Sequence, residues 1–84
     1  MQTVYVLYSN KYDKLYIGRT SNLLARFHSH NTFGSKGYTK KYRPWMVIHT
    51  EVFDNLQEAN KREKQLKGGQ GRAWIRTEIL PYFL

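Results

Sequence analysis

The sequence predicts an α+β protein in which helices flank a small three-stranded sheet of mixed or antiparallel strands. Two segments rich in β-branched and aromatic residues, 3–9 and 14–20, surround a turn-like Asn-Lys-Tyr-Asp stretch and indicate a hairpin. A third such segment covers residues 45–53. Apolar residues recur at helical spacing before and after it, so the element order is β-β-α-β-α-α. The 84 residues suffice for one core, and we expect a single domain over 1–84.

The predicted hairpin brings two tyrosines together. With a four-residue turn at 10–13, Leu7 faces Tyr16. Tyr5 then faces Gly18, which leaves open space beside the phenol. Because opposed residues share a face of a sheet, Tyr5 and Tyr16 become diagonal neighbours about 7–8 Å apart. A turn one residue longer or shorter would put them on opposite faces. The alternative is that both rings simply pack in the core.

The first helix is predicted over residues 23–31, after the N-cap candidates at 20–22. Arg26 and His30 are four residues apart and lie beside its apolar stripe. A cation in this position can lie against the sheet and point at a bound anion. A solvated arginine and a surface histidine fit the same spacing.

Residues 32–44 are predicted to form a loop rich in cations and tyrosines. Cations that contact phosphates, together with aromatic faces for bases or sugars, are typical of nucleic-acid binding. A solvated charged loop is the alternative. The candidate DNA-binding residues here are Lys36, Tyr38, Lys40, Lys41 and Arg43.

A second helix is predicted between the capping residues 54–55 and the glycines 68–69, with Leu56, Ala59 and Leu66 on its buried side. A last helix is predicted from about residue 70 to 80, before Pro81.

Glu63 projects into the middle of the buried side of the second helix, whereas Glu58 projects away and can pair with Arg62. Burying a carboxylate without a cation is expensive, so Glu63 requires either a metal ion or an arginine. The first case makes it an oxygen ligand for magnesium. The second makes an internal Glu–Arg pair, with Arg26 as a candidate partner.

The charge points to a polyanionic partner. There are 14 Lys and Arg residues against 6 Asp and Glu, which gives a formal net charge of +8. Basic surfaces attract nucleic acid, since each neutralised phosphate also releases counterions. An anionic membrane is the rival partner, but no segment combines a broad apolar face with a purely basic one. DNA is therefore the expected partner, and no membrane is expected.

Several function classes are excluded by composition. The absence of cysteine excludes disulfides, zinc-thiolate sites and cysteine nucleophiles. The three histidines lack nearby carboxylates at zinc-ligand spacing. The N-terminus lacks the features of a signal peptide, and no apolar run approaches the roughly 20 residues of a membrane span. We expect a cytoplasmic protein.

Taken together, the motifs resemble the GIY-YIG nuclease superfamily, in particular its short stand-alone branch. They are also similar to the N-terminal nuclease domain of the bacterial excision-repair endonuclease. The tyrosines of the two hairpin motifs are eleven residues apart. The resemblance covers nearly the whole chain and rests on Thr3-Val4-Tyr5, Tyr16-Ile17-Gly18, the helix at 19–26 with His30-Asn31, Tyr38-Thr39, Arg43-Pro44-Trp45 and the segment 58–67.

The resemblance implies an endonuclease that uses one divalent ion, Mg²⁺ or Mn²⁺, and leaves a 5′-phosphate and a 3′-hydroxyl. The metal-binding glutamate of the family matches Glu63, and its catalytic tyrosines match Tyr5 and Tyr16. Its arginine matches Arg26, and the histidine or tyrosine one turn later matches His30. The basic residue after YIG matches Arg19, a candidate for DNA binding.

The roles implied by the resemblance form one mechanism. Tyr5 would help to deprotonate the attacking water, with His30 as a candidate proton acceptor, because a free phenol has a pKa near 10. Arg26 and Tyr16 would hold the scissile phosphate as charge builds on it. Glu63 would hold the metal ion at the leaving oxygen.

One position departs from the family pattern. Many members carry an asparagine about a dozen residues after the glutamate, and Ile75 stands at that spacing. The expected function is DNA cleavage in repair, recombination or mobile-element processing, by one copy that nicks or by a transient homodimer on DNA. The alternatives are a catalytically weak DNA- or RNA-binding module and a basic structural or protein-interaction domain.

Overall fold

The computed structural model describes residues 1–31 and 37–84. Its sheet has three strands, β1 (Gln2–Ser9), β2 (Lys14–Thr20) and β3 (Met46–Phe53), in the order β2-β1-β3. Both strand pairs are antiparallel. The predicted α+β class and element order are confirmed, and the sheet is antiparallel rather than mixed.

The hairpin has the predicted register, since Tyr5 pairs with Gly18 and Leu7 pairs with Tyr16. Asp13 closes the turn with a positive φ of 54°. Its carboxylate accepts hydrogen bonds at 2.8 Å from the Tyr8 hydroxyl and from the Arg76 guanidinium. These bonds tie the hairpin to the C-terminal helical segment and hold the pKa of Asp13 below its usual range, the Arg76 bond most strongly.

Within the described residues, four α-helices accompany the sheet, followed by a π-helical turn (Ile75–Ile79) and a 3₁₀ turn (Leu80–Phe83). The first and third helices begin and end as predicted. The predicted loop at 32–44 is wrong in part, because it contains a short helix. The predicted last helix begins earlier, at Gly69, and changes to π and 3₁₀ geometry before it ends. The helices are α1 (Leu23–Asn31), α2 (Gly37–Lys41), α3 (Leu56–Lys67) and α4 (Gly69–Trp74).

The short helix α2 is held by tertiary contacts. The Trp45 indole N–H donates to the Thr39 carbonyl at 2.9 Å, and the Tyr38 ring stacks on Trp45 with centroids 5.9 Å apart. Isolated helices this short are unstable in water, so these contacts select the helical form. This explains why local sequence did not reveal it.

Helices cover both faces of the sheet because side chains alternate along each strand. On one face, Val4 and Val6 pack with Ala59 and Leu66 of α3 and with Ile75. On the opposite face, the cluster of Tyr5, Leu7 and Trp45 packs against Leu23 and Phe27 of α1. Here we call this second side the tyrosine face. In residues 1–31 and 37–84, no helix is both long and apolar enough to cross a bilayer.

Helix α3 is placed by its cap and by a close approach to α4. The Asn55 side chain accepts a hydrogen bond from the backbone N–H of Glu58 at 2.8 Å. A Cβ on Gly71 would collide with the backbone of Gln65 and Leu66, so the helices meet where only glycine fits. The prediction that Leu56 is buried is wrong, because its position at the exposed start of α3 leaves it 54% accessible.

Candidate active site

The tyrosine face carries the first part of the candidate site. The Tyr5 and Tyr16 rings lie with centroids 6.2 Å apart, and Tyr5 is 1% exposed. A Cβ on Gly18 would lie 2.5 Å from the Tyr5 hydroxyl oxygen and 3.1 Å from Cε1 of Tyr16. The missing side chain of Gly18 therefore provides the space in which the Tyr5 phenol lies.

Gly18→Ala is expected to destabilise the protein by about 1–3 kcal/mol, because the added methyl group would overlap the buried ring of Tyr5. Urea unfolding followed by circular dichroism measures this change. A stability equal to or above that of the wild type would show that the Tyr5 ring has room to shift. The matched control is Gly69→Ala, since a Cβ there meets nothing within 4 Å.

Helix α1 places His30 against the tyrosines. The Tyr5 hydroxyl oxygen lies 2.9 Å from Nε2 of His30, and the His30 ring centroid lies 4.7 Å from that of Tyr16. Burial lowers the pKa of His30, and the nearby charge of Arg26 adds to this effect. Neutral imidazole therefore dominates at neutral pH and can accept a proton on one ring nitrogen.

Tyr5 retains its proton at neutral pH. Its pKa is raised to about 12, chiefly by burial and next by Tyr16, whereas Arg26 acts in the opposite direction. The phenol can therefore act as a base only if its own proton leaves as it accepts another. His30 is the group in hydrogen-bonding position to take that proton.

Arg26 and His30 lie one turn apart on the same side of α1, as the four-residue spacing predicts. Arg26 is exposed, so its guanidinium is accessible to a ligand. Its charge lowers the pKa of both Tyr5 and His30, so Arg26 lies close to both groups. The histidine itself is 6% exposed, which excludes the alternative of a surface histidine.

Glu63 approaches from α3, on the other side of the sheet from the two tyrosines. Its side chain is only 14% exposed, and its Oε1 lies 3.3 Å from Nε of Arg19 on the edge strand β2. Its Oε2 lies 2.8 Å from Nζ of Lys67. The negative charge contributes to the raised pKa of Tyr5, so the carboxylate lies within electrostatic range of that phenol.

Two predicted pairings are corrected by the structure. Among the described residues, the ion-pair partners of Glu63 are Arg19 and Lys67, and the suggested partner Arg26 is not one of them. Arg62 does not pair with Glu58. It binds Glu51 with hydrogen bonds of 2.9 and 3.0 Å, because β3 presents that carboxylate beside α3.

The fit to a divalent ion depends on a single carboxylate. Among the described residues, no group of three or more histidines and carboxylates could form an all-protein metal cage. Mg²⁺ commonly binds through one or two carboxylates and completes its shell with water and substrate phosphate oxygens. Glu63 fits this mode, provided that the Lys67 ammonium, on a half-exposed side chain, moves away.

The predicted DNA-binding residues lie in several environments. Lys40 and Lys41 are exposed on α2. The Tyr38 ring lies 6.4 Å from Tyr16, which connects α2 to the tyrosine face. Arg43 donates from Nε to the Lys40 carbonyl at 3.3 Å, and Arg19 binds Glu63. Lys36 lies outside the described residues.

Ile75, at the spacing of the family asparagine, is fully buried in the core with Ala59 and Leu66. This position therefore contributes packing here and does not face the tyrosines. Lys67 was not predicted as a partner of Glu63, although its position one helical turn after Glu63 was a usable signal. Lys11 and Tyr12 of the predicted hairpin turn were given no role, although the Tyr12 ring lies 5.5 Å from that of Tyr42, just after α2.

The chain is similar to known proteins along most of its length. It is 39% identical to the UPF0213 protein of Staphylococcus haemolyticus over 68% of this chain and 70% of the relative. It is 44% identical to that of Syntrophus aciditrophicus over 63% of this chain and 62% of the relative. It is 37% identical to the UPF0213 protein of Clostridium perfringens over 80% of this chain and 71% of the relative.

No solved structure gives a significant match to the chain. The profile of the GIY-YIG catalytic domain matches residues 1–75, which include the hairpin, α1 and the Glu63 helix. The resemblance seen in the motifs is thus confirmed. The chain belongs to the GIY-YIG catalytic domain family, a family of nuclease domains.

Proposed function

We propose that this protein is a divalent-metal-dependent DNA endonuclease that hydrolyses a phosphodiester bond to a 5′-phosphate and a 3′-hydroxyl. The observation that carries the proposal is the 2.9 Å contact between the Tyr5 hydroxyl and His30 Nε2, beside Tyr16 and Arg26. It joins a buried phenol to a neutral imidazole. Membership of the family supplies the reaction class.

The proton path follows from the pKa values. Water gives a proton to the Tyr5 oxygen as the phenol gives its own proton to Nε2 of His30, so no free phenolate accumulates. The resulting hydroxide attacks phosphorus, the bond from phosphorus to the 3′ oxygen breaks, and the leaving 3′ oxygen takes a proton from solvent water to give the 3′-hydroxyl. General base catalysis of this kind requires the groups to be in hydrogen-bond reach, as the 2.9 Å contact provides.

The phosphate would be held by the remaining groups of the tyrosine face. The exposed Arg26 guanidinium can donate two parallel hydrogen bonds to phosphate oxygens, and the partly exposed Tyr16 hydroxyl can donate another. Both stabilise the charge that develops during attack. Glu63 is the residue that would hold the metal ion, which supplies positive charge for the leaving oxygen.

A nicking assay tests the proposal. Glu63→Gln keeps the shape of the side chain and removes its charge, so it is expected to lower Mg²⁺- or Mn²⁺-dependent nicking of supercoiled plasmid by about 100-fold or more. Glu58→Gln is the matched control, because Glu58 is exposed on the same helix. Equal activity of Glu63→Gln and the wild type would contradict the assignment.

A second candidate function is a DNA- or RNA-binding module of the same fold with little turnover. The ion pairs of Glu63 with Arg19 and Lys67 favour it, since both carboxylate oxygens already have cationic partners. This candidate predicts salt-dependent binding without cleavage in Mg²⁺ or Mn²⁺. Cleavage by the wild type that requires Glu63 excludes it. Repair, recombination or mobile-element processing is the proposed setting of the nuclease.

Lys67→Gln is expected to tighten Mn²⁺ binding about two- to fivefold at low salt. The substitution removes a cation that competes with the metal for Glu63. The expected change is small because an ion pair with one exposed partner contributes little free energy. Titration of the metal with detection of free Mn²⁺ by electron paramagnetic resonance measures the change. Lys64→Gln, an exposed neighbour on the same helix, controls for the loss of overall charge. Unchanged or weaker affinity relative to that control would show that Lys67 does not compete.

A further inference from the structure

A row of aromatic rings continues from the candidate site to the end of the hairpin. The Tyr38 ring lies 6.4 Å from Tyr16, and Tyr42 lies 4.8 Å from Tyr38. Tyr12, in the hairpin turn, lies 5.5 Å from Tyr42. These are centroid distances, and they describe an unbroken path from the tyrosine face to the surface. We call Tyr12, Tyr38 and Tyr42 with their neighbouring lysines the hairpin-end strip.

Lysines border the outer part of this strip. Nζ of Lys11 lies 5.3 Å from the centroid of Tyr12. Nζ of Lys14 and Nζ of Lys41 each lie 5.4 Å from the centroid of Tyr42. The carboxylate nearest in sequence, Asp13, is paired with Arg76 and therefore offsets little of this charge. The strip is cationic along its whole outer part.

Two of these rings are accessible, and Tyr38 is also held in position by a hydrogen bond. Tyr12 is 41% exposed and Tyr38 is 44% exposed. The Tyr38 hydroxyl donates to the Leu15 carbonyl of β2 at 3.0 Å, which anchors one end of the ring while a large part of it faces solvent. A preformed aromatic surface loses little conformational entropy when a planar ligand stacks on it.

We propose that the hairpin-end strip binds an unpaired segment of DNA that continues from the scissile phosphate, with bases stacked on Tyr12 and Tyr38 and phosphates beside the lysines. The inference rests on the proposed function, because the strip extends the site that would hold that phosphate. Alternating aromatic and cationic groups match single-stranded nucleic acid, whose bases expose their faces. The bases of a duplex are stacked on one another and leave those faces covered.

Fluorescence anisotropy on the full chain tests the inference. The Glu63→Gln variant, which is expected to bind without cutting, is titrated with a labelled thymidine oligonucleotide, an abasic strand of equal length and a duplex. Adding Tyr12→Ala is expected to weaken binding to the thymidine strand about fivefold or more. The same change should have little effect on the abasic strand and the duplex, since neither offers an open base.

Two further variants sharpen the test. Tyr82→Ala is the matched control, because that ring is 86% exposed and lies near the C-terminus. Lys11→Gln should lower the slope of log affinity against log salt by about 0.7 on the single strand. It tests the strip without removing a ring. Equal losses on the thymidine and abasic strands, or no loss with either variant, would overturn the inference.

The outcomes also separate this inference from the proposed function. If the wild type cleaves plasmid but its single-strand affinity does not depend on Tyr12, the inference is wrong and the proposed nuclease function stands. If the wild type does not cleave plasmid but binds single strands in a base-dependent way through Tyr12, the proposed nuclease function is wrong and the inference about the strip stands. An RNA strand that binds more tightly than DNA through the same ring would overturn the assignment to DNA.

Discussion

Tyr5→Phe is expected to lower the rate of DNA cleavage by about 10²–10⁴-fold, the usual contribution of a positioned general base. The substitution removes one oxygen atom from a ring that is 1% exposed and keeps the packing on the tyrosine face. The lost atom is the one that lies 2.9 Å from His30 Nε2, so the proton path from water to imidazole is interrupted. Single-turnover cleavage with excess enzyme measures the chemical step directly.

Tyr8→Phe is the control for this experiment. Tyr8 lies next to Leu7 in the same strand, but it points to the opposite face of the sheet, where its hydroxyl donates to Asp13. Its loss should affect stability and leave the cleavage rate unchanged. If Tyr5→Phe cleaves within a few-fold of the wild type, another group accepts the proton of the attacking water.

Arg26→Ala is expected to lower the rate of cleavage by about 10²–10³-fold, the usual effect of removing one preorganised donor to a developing charge. A second consequence concerns proton affinity. The pKa of His30 is lowered first by burial and then by Arg26, so the variant should raise this pKa toward its ordinary value. The pKa of Tyr5 should rise as well, since Arg26 stabilises the phenolate.

The pH dependence of the rate gives Arg26 a distinctive signature. Only neutral His30 accepts a proton, so activity falls as the pH drops through the His30 pKa, which burial holds below the usual range of a histidine in the wild type. The acid limb of the pH–rate profile is the range in which activity falls as the pH decreases. For the residual activity of Arg26→Ala, this limb should shift to higher pH. A general loss of DNA affinity would not move that limb.

Lys61→Ala removes one positive charge from the exposed surface of α3 and serves as the matched control. Its cleavage rate and acid limb should equal those of the wild type at moderate salt. An unshifted limb in Arg26→Ala, with the rate reduced equally at every pH, would mean that Arg26 acts on the phosphate alone. A rate unchanged by the substitution would remove Arg26 from the site.

Local pattern predicted the parts of the site that depend on neighbouring residues. The two-residue period of a strand and the length of the turn at 10–13 decide which face each tyrosine occupies. Tyr5 and Tyr16 therefore share a face, with Gly18 beneath the phenol, as the register analysis required. Spacing along one helix likewise placed Arg26 and His30 on the same side of α1.

Pairings between distant elements were less predictable. Arg26 of α1 was the predicted arginine partner of Glu63, but α1 and α3 cover opposite faces of the sheet. Arg19, whose position on the edge strand places it beside α3, lies within 3.3 Å instead. The same limitation applies to Arg62, which pairs with Glu51 of β3 and not with Glu58 of its own helix.

The amino-acid sequence alone determined the hairpin register, the main helices and the inward direction of Glu63, because strand alternation, capping and helical periodicity act over a few residues. Only the tertiary structure decided that α2 is helical, that Ile75 belongs to the core, and that Glu63 is neutralised by Arg19 and Lys67. Those outcomes depend on which layers meet and on how much water they exclude. Such long-range packing leaves no periodic signal in the chain.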